Sequence, residues 1–183
     1  MTAFIAIDFE TADYRADSAC AIGLARVEDG RLVDTRYQLI RPPRRDFRFT
    51  WVHGLTWADV ADAPDFAEAW QAVRPLMKGA RAIVAHNAGF DRSVLRAGCA
   101  AAGLGPPRLP FICTMRLARA LWDVRPTKLP DVCRYLAISL RHHHAESDAR
   151  ACAEIAIAAI EDGRGLASGR LAPPQPPAWA ISS

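Results

Sequence analysis

The amino-acid sequence predicts an α/β fold in which a mixed five-stranded sheet is flanked by helices. Three apolar, strand-like segments open the chain. Segments with a helical repeat of apolar residues then alternate with short strand candidates, an order typical of sheets covered by helices. The length of 183 residues suits a single domain with one core.

The N-terminal segments predict an antiparallel three-stranded meander. Asp29-Gly30 separates the second and third segments, and Asp-Gly between two strand-like runs is a strong hairpin signal. Pro42 and Pro43 end the run, because proline cannot join a central ladder. The three predicted strands are Ala3–Asp8, Cys20–Glu28 and Arg31–Ile40.

The rest of the chain predicts helices that alternate with short strands. Apolar residues from Phe66 to Met77 have helical spacing. Ser147 is the expected N-cap of the last helix, because a serine side chain can accept a hydrogen bond from the first helical turn. Further predicted helices are Phe90–Ala102, Met115–Trp122, Leu129–Leu136 and Ser147–Ile160, and the strands are Ala82–Ala85 and Phe111–Cys113.

We place the domain at residues 1–164 and a tail at residues 165–183. The tail contains four prolines, and this composition predicts an extended segment. No apolar run approaches the ~20 residues of a membrane span, and acidic residues by position 8 argue against a signal peptide. Five scattered cysteines without a Cys-x-x-Cys pair predict reduced thiols. We therefore expect a cytoplasmic protein without a membrane partner.

Charge alone leaves the partner open. The net charge is +3, and all but two of the 23 basic residues are arginines. A GC-rich genome explains this bias, and so does phosphate binding, since the planar guanidinium suits phosphate oxygens. Arg41, Arg44, Arg45 and Arg48 lie in a predicted loop, where we expect either contacts to a nucleic-acid backbone or simple solvation.

Two carboxylates mark the end of the first strand. Asp8 and Glu10 are two residues apart and therefore share one face of a strand. Carboxylates this close repel each other, and a divalent cation, which prefers oxygen ligands, would relieve the repulsion. The alternative is a pair of solvated carboxylates.

Two further polar segments follow later elements. His86, Asn87 and Asp91 come after a buried strand, and His142–His144 precede Asp148 at the start of the last helix. Asp91 and Asp148 could instead only stabilise helix N-termini. A zinc patch at the three histidines is a further alternative, although contiguous histidines rarely converge on one tetrahedral ion.

In order along the chain, these motifs resemble the DEDDh branch of the DnaQ-like 3′–5′ exonucleases, which have a ribonuclease H-like fold. Asp-x-Glu-Thr, Asn-x-x-x-Asp and His-x4-Asp carry the resemblance. Val52-His53-Gly54-Leu55-Thr56, and Lys128-Leu129-Pro130 followed by Leu136-Ala137-Ile138, match secondary motifs. The chain departs at Cys113-Thr114, where the family often has Asp-Thr. The resemblance covers residues 3–162.

The resemblance implies a catalytic set and a cofactor. The four acids would be Asp8, Glu10, Asp91 and Asp148, with His143 as general base. Two Mg²⁺ or Mn²⁺ ions would be bridged by Asp8, with Glu10 and Asp148 on the water-bearing ion and Asp91 supporting the other. The implied substrate contacts are Thr11, Val52, His53, His86, Asn87 and Phe90. Core packing is the alternative for Val52 and Phe90, and a turn role for Asn87.

The implied activity is hydrolysis of single-stranded nucleic acid, with DNA favoured, from the 3′ end to nucleoside 5′-monophosphates. Three alternatives stay open: an RNA-directed exoribonuclease or oligoribonuclease, a noncatalytic polymerase-accessory module that binds nucleic acid, and a zinc-binding regulatory domain. The expected partners are single-stranded DNA or RNA 3′ ends and a DNA polymerase bound through the tail.

Overall fold

The computed structural model describes residues 3–164 and contains a mixed five-stranded sheet in the order β3-β2-β1-β4-β5. The first three strands are antiparallel, and β4 and β5 continue the sheet in parallel with β1. The α/β prediction is thus confirmed. The strands are β1 (Ala3–Thr11), β2 (Ala19–Glu28), β3 (Arg31–Leu39), β4 (Ile83–Ala85) and β5 (Phe111–Cys113).

The predicted hairpin joins β2 to β3. Asp29 and Gly30 both adopt positive φ angles, 47° and 78°, as a type I′ turn requires. Strands β1 and β2 lie at the centre of this part of the sheet and are buried along most of their length, whereas β3 is the half-exposed edge. The central strand β1 therefore carries Glu10 to a buried position and Asp8 to a half-buried one.

Seven helices lie within the described residues. Two short ones, α1 and α2, were not predicted, because four residues are too few to show a helical repeat. The helix predicted to reach Met77 ends at Val73 and continues as a 3₁₀ turn, because Pro75 has no N–H for an α-helical bond. The helices are α1 (Thr50–His53), α2 (Trp57–Val60), α3 (Phe66–Val73), α4 (Gly89–Ala101), α5 (Thr114–Leu121), α6 (Leu129–Tyr135) and α7 (Ala145–Ala159).

The predicted start of the last helix was wrong by two residues. Helix α7 begins at Ala145, and its N-cap is His144. Ser147 lies inside the first turn, where its Oγ accepts a hydrogen bond of 2.8 Å from the N–H of Arg141. The serine thus secures the histidine loop that precedes the helix instead of capping it.

The core has two main parts, one on each face of the sheet. Helices α5, α6 and α7 pack on one face, and α3 and α4 pack on the other. Helix α7 crosses β1 and β2 so closely that a Cβ atom on Gly23 would lie 2.1 Å from the carbonyl oxygen of Ala145. This close approach places the first turn of α7 beside the end of β1.

The sequence predicts no membrane-spanning segment and reduced cysteines, and the structure bears on both predictions within residues 3–164. None of the helices in this range is both long and apolar enough to cross a membrane. All five cysteines are free thiols. The predicted tail, residues 165–183, lies outside the described residues.

Candidate active site

A cavity of about 330 Å³ opens at the carboxyl-terminal end of β1. Strand β1, helix α1, the start of α4 and the loop before α7 all contribute to its wall, so residues far apart in sequence meet there. Its lining residues are Asp8, Phe9, Glu10, Thr11, Phe49, Val52, His53, His86, Phe90, Leu129, His142, His143 and Asp148.

Three carboxylates gather in this cavity. One oxygen each from Asp8, Glu10 and Asp148 lie within 4.8 Å of one another. Asp148 is only 3% exposed, and its Oδ1 atom is buried without a hydrogen-bond partner among the described residues. Buried acceptors are rarely left unpaired, and hard divalent cations take carboxylate oxygens as ligands. The cluster therefore fits one or more divalent cations.

The electrostatics of the cluster favour a cation as well. Burial raises the pKa of Glu10 to about 7, and the nearby Asp148 carboxylate adds to that shift. Burial, together with the charges of Asp91, Asp148 and Glu10, raises the pKa of Asp8 well above its usual range. Without a cation, Glu10 therefore holds its proton up to near neutral pH, because several carboxylates cannot all ionise at such short range.

Asp91 lies deeper than the other three acids. It occupies the first turn of α4, is 1% exposed, and its Oδ1 accepts a hydrogen bond of 3.1 Å from the N–H of Phe9 on β1. Burial raises the pKa of Asp91 to about 8. It is not among the cavity-lining residues, and its hydrogen bond to Phe9 joins the start of α4 to β1.

The histidine loop brings two of its three rings to the cavity. His142 Nδ1 lies 3.0 Å from Asp148 Oδ2, and the same oxygen accepts the N–H of His143 at 3.1 Å. The rings of His142 and His143 stack with centroids 3.7 Å apart. His144 instead stacks on Tyr37 of β3 and is not a lining residue. The left-handed backbone of His143, φ 64°, accompanies this reversal.

His53 ties helix α1 to the end of β1. Its Nδ1 accepts the N–H of Leu55 at 3.0 Å, so the ring hydrogen is on Nε2, which donates to the carbonyl of Thr11 at 3.2 Å. Both nitrogens are thus engaged, and burial lowers the pKa of His53. The residue contributes its ring surface to the cavity and fixes the position of α1.

His86, which also lines the cavity, is held through both of its ring nitrogens as well. Its Nε2 lies 3.0 Å from the carbonyl of Thr127 and therefore donates to it, while Nδ1 lies 2.9 Å from the hydroxyl of Thr114. Burial lowers the pKa of His86, in keeping with a neutral ring. The contact fixes the loop that leads into α6, and with it the cavity-lining Leu129.

The other predicted substrate residues differ in where they lie. Phe90 is 43% exposed and Val52 is half-buried, and both line the cavity, so neither is an ordinary core residue. Asn87 is exposed, has φ 59° and does not line the cavity. Its carbonyl accepts the N–H of Phe90, so its backbone has a role in the turn, and the substrate contact that the resemblance implied stays a prediction.

Three of the four arginines predicted to lie in a loop, Arg44, Arg45 and Arg48, make contacts within the protein. Arg44 bonds to Asp13 at 3.2 Å and to Asp17 at 3.0 Å, so it clamps the loop after β1. The guanidinium of Arg45 lies 5.0 Å from the ring centroid of Trp57. Arg48 pairs with Asp46 at 2.8 Å but stays 61% exposed. Simple solvation is thus wrong for Arg44, whose role is structural.

Sequence reasoning missed several contributors to the site. Phe49 and Leu129 line the cavity, and His142 holds Asp148. Tyr14 and Trp51 are more than 80% exposed; Tyr14 packs edge-on against Phe49, and Trp51 directly precedes Val52. The only available signal was their position beside motif residues, and position alone does not tell a lining side chain from a packed one.

Comparison with known proteins identifies the family of the chain. The family model RNase_T, described as exonuclease, matches residues 5–156. A "DNA polymerase III PolC-type" of Thermotoga petrophila is 32% identical over 163 residues, which cover 86% of this chain and 12% of that protein. The chain thus spans about an eighth of that relative's length.

Two solved structures share the fold. The first, "Exonuclease X in complex with 5′ overhanging duplex DNA", has a TM-score of 0.70 and 29% identity, covering 86% of this chain and 91% of that one. The second, the nuclease domain of 3′hExo, a DEDDh family member bound to rAMP, has a TM-score of 0.74 and 20% identity, covering 88% and 92%.

Proposed function

The chain belongs to the exonuclease family, in its DEDDh branch, and from this premise we propose that it is a metal-dependent 3′–5′ exonuclease. It would hydrolyse single-stranded nucleic acid, DNA in preference to RNA, to nucleoside 5′-monophosphates. One observation carries the proposal: Asp8, Glu10 and Asp148 converge in one cavity with His143 on its rim.

The residues of the cavity divide the work of phosphodiester hydrolysis. Asp8, Glu10 and Asp148 would hold two Mg²⁺ or Mn²⁺ ions, with Asp91 behind them. Bound there, such ions would lower the pKa of an attacking water and stabilise the leaving 3′ oxygen. His143 would accept the proton of that water, since a neutral imidazole is a suitable base near pH 7. Its pKa is lowered by burial, which keeps the ring neutral.

The entrance suits an unpaired strand. Val52, Phe90 and Phe49 present apolar surface in the cavity wall, where the terminal base would stack. Tyr14 and Trp51 extend exposed aromatic surface away from it. Stacking on aromatic side chains is worth roughly 1–3 kcal/mol per base and tolerates any sequence. A paired 3′ end would first have to unstack, which costs a few kcal/mol.

The choice of DNA and of a partner draws on the relatives. Exonuclease X was solved with duplex DNA carrying a 5′ overhang, and the matched PolC-type protein is a DNA polymerase. We therefore favour DNA over RNA and propose that residues 165–183 tether the domain to a polymerase. The five free thiols support a reducing, cytoplasmic location.

The decisive experiment offers the purified protein 5′-labelled DNA and RNA oligomers, single-stranded and as blunt duplexes, in Mg²⁺ or Mn²⁺. We expect a ladder that shortens from the 3′ end, faster on single-stranded DNA than on either RNA or blunt duplex. Faster cleavage of RNA would favour the exoribonuclease alternative. Binding without cleavage would favour the accessory module.

The arginine segment can be tested in the same assay. Arg48 is exposed and Arg45 lies on the surface, so the pair could contact the backbone upstream of the cut, whereas Arg44 should be left intact because it holds Asp13 and Asp17. Replacing Arg45 and Arg48 by Gln should flatten the salt dependence of binding by about one unit of slope per lost phosphate contact. An unchanged slope would assign both residues to the surface alone.

A further inference from the structure

We propose that His142 is a positioning residue with two separable tasks. Its hydrogen bond orients the Asp148 carboxylate for a cation, and its ring holds the ring of His143 in place. The inference rests on the proposed function, and it concerns a histidine that the His-x4-Asp motif, which begins at His143, does not include. His142 lines the cavity together with His143 and Asp148.

The first task concerns one oxygen of Asp148. The Nδ1 atom of His142 lies 3.0 Å from Oδ2, and the N–H of His143 donates to the same oxygen at 3.1 Å. A carboxylate oxygen accepts, so Nδ1 carries the hydrogen of this contact. Because a carboxylate can rotate about its Cβ–Cγ bond, two donors on Oδ2 determine which oxygen is left for a cation. That oxygen is Oδ1, which is buried and has no partner among the described residues.

The second task concerns the ring of the predicted base. The rings of His142 and His143 stack with centroids 3.7 Å apart and an angle of 23° between their planes. His143 is an exposed residue, and an exposed side chain can occupy several rotamers. Contact with His142 on one face restricts that choice. Rings stacked in this way cannot aim their in-plane nitrogens at one ion, so the pair supports positioning and not the zinc patch considered from the sequence.

Other contacts hold the ends of the histidine loop but not these two rings. The N–H of Arg141 donates to Ser147 Oγ at 2.8 Å, and the ring of His144 stacks on Tyr37 with centroids 4.7 Å apart. Neither contact involves the ring of His142 or of His143. The direction of the His143 ring therefore depends on its stacking with His142.

Three substitutions at position 142 separate the two tasks. His142→Asn keeps an N–H donor close to the place of Nδ1 but removes the ring. His142→Phe keeps an aromatic ring to stack on His143 but removes the donor. His142→Ala removes both. A merely structural role for His142 would not divide its effects between the Asn and Phe variants in this way.

Calorimetry with Mn²⁺ on the full chain, without substrate, measures the first task. We expect Mn²⁺ to bind at least about tenfold more weakly to His142→Phe and His142→Ala than to the wild type, because hydrogen bonds to a ligating carboxylate typically affect affinity on that scale. His142→Asn should bind Mn²⁺ nearly as the wild type does.

Steady-state kinetics on single-stranded DNA at saturating Mn²⁺ measures the second task. We expect kcat to fall at least about tenfold in His142→Asn and His142→Ala, because a displaced base loses its alignment with the reacting atoms. The KM for DNA should stay near the wild-type value, since His142 acts through His143. His142→Phe should keep most of the wild-type kcat.

His144→Asn and His144→Phe are the matched controls and should resemble the wild type in both experiments, because His144 does not line the cavity. Wild-type behaviour of His142→Ala, or equal losses in His142→Asn and His142→Phe, would overturn the inference. If the wild type cleaves nucleic acid and the crossed pattern is missing, only this inference fails. If the calorimetric pattern holds and the wild type cleaves nothing, the proposed function fails and the role of His142 toward Asp148 stands.

Discussion

At the scale of single residues, the histidine loop gives the sharpest prediction. His143 lines the cavity and His144 stacks on Tyr37 instead, although the two are neighbours in sequence. We expect His143→Ala to reduce kcat by ~10²–10⁴-fold, the usual contribution of a general base. His144→Ala, as the matched control, should stay close to the wild-type rate. Steady-state kinetics in Mg²⁺ would measure both, and the reverse ranking would contradict the assignment of the base.

Asp8 supports a prediction in which activity and stability move in different directions. Asp8→Asn should abolish hydrolysis, because it removes an oxygen charge from the cation-binding cluster. The metal-free protein should melt at the same temperature as the wild type or higher, since the substitution also relieves repulsion with Asp91, Asp148 and Glu10. Thermal unfolding in EDTA and the nuclease assay in Mn²⁺ check the two halves. Substantial residual activity in Mn²⁺ would exclude Asp8 as a ligand.

At the scale of elements, the contact between β2 and α7 sets the position of Asp148. A Cβ atom at Gly23 would lie 2.1 Å from the carbonyl oxygen of Ala145 and 2.4 Å from the N–H nitrogen of Glu146, and backbone atoms cannot rotate away as a side chain can. Gly23→Ala should therefore push the start of α7 outward. We expect a loss of stability of about 1–3 kcal/mol, typical of overpacking, together with a clear fall in activity.

Gly105→Ala provides the control for this prediction. A Cβ atom there would meet nothing within 4 Å, so both stability and activity should stay near wild type. Urea unfolding and the nuclease assay measure the pair of variants. A Gly23→Ala protein with full activity would show that α7 can shift without displacing Asp148.

At the scale of the whole molecule, the buried acids predict how stability depends on pH. The ordinary pKa of Glu10 is 4.5 and burial raises it to about 7, and the pKa of Asp91 rises from 3.8 to about 8. Between these limits the folded state holds protons that the unfolded chain has lost. The free energy of unfolding of the metal-free protein should therefore fall as pH rises from about 5 to 8.

Cations should reverse this trend, because a ligand that binds only the folded state stabilises it. Melting temperatures measured in EDTA and in Mn²⁺ at several pH values test the prediction. We expect the stabilisation by Mn²⁺ to be greatest near pH 8, where the carboxylates have released their protons. Glu10→Gln should flatten the decline in EDTA. A melting temperature that rises with pH in EDTA would show that these acids are not protonated in the folded state.

The sequence predicted the elements that have a clear local pattern and missed those that do not. The meander and its Asp29-Gly30 turn, and the strand at Phe111–Cys113, followed from local pattern alone. Pro75 ends α3 at Val73, but the sequence analysis extended the helix to Met77 because apolar residues continue at helical spacing. Helices α1 and α2 stayed unpredicted, because segments of four residues are too short to show a helical repeat.

The sequence by itself was enough to predict the exonuclease family, because Asp8, Glu10, Asp91 and Asp148 are recognisable by residue type and by their order in the motifs. Only the tertiary structure decided which neighbours act with them. In the structure, His144 stacks on Tyr37 outside the cavity, and His142 contacts Asp148. Arg44 binds Asp13 and Asp17 and stabilises the loop after β1. The physical reason is that each residue's type fixes the chemistry of its side chain. The burial, the partners and the orientation of that side chain depend instead on how α7 crosses the sheet at Gly23 and on how each loop is held.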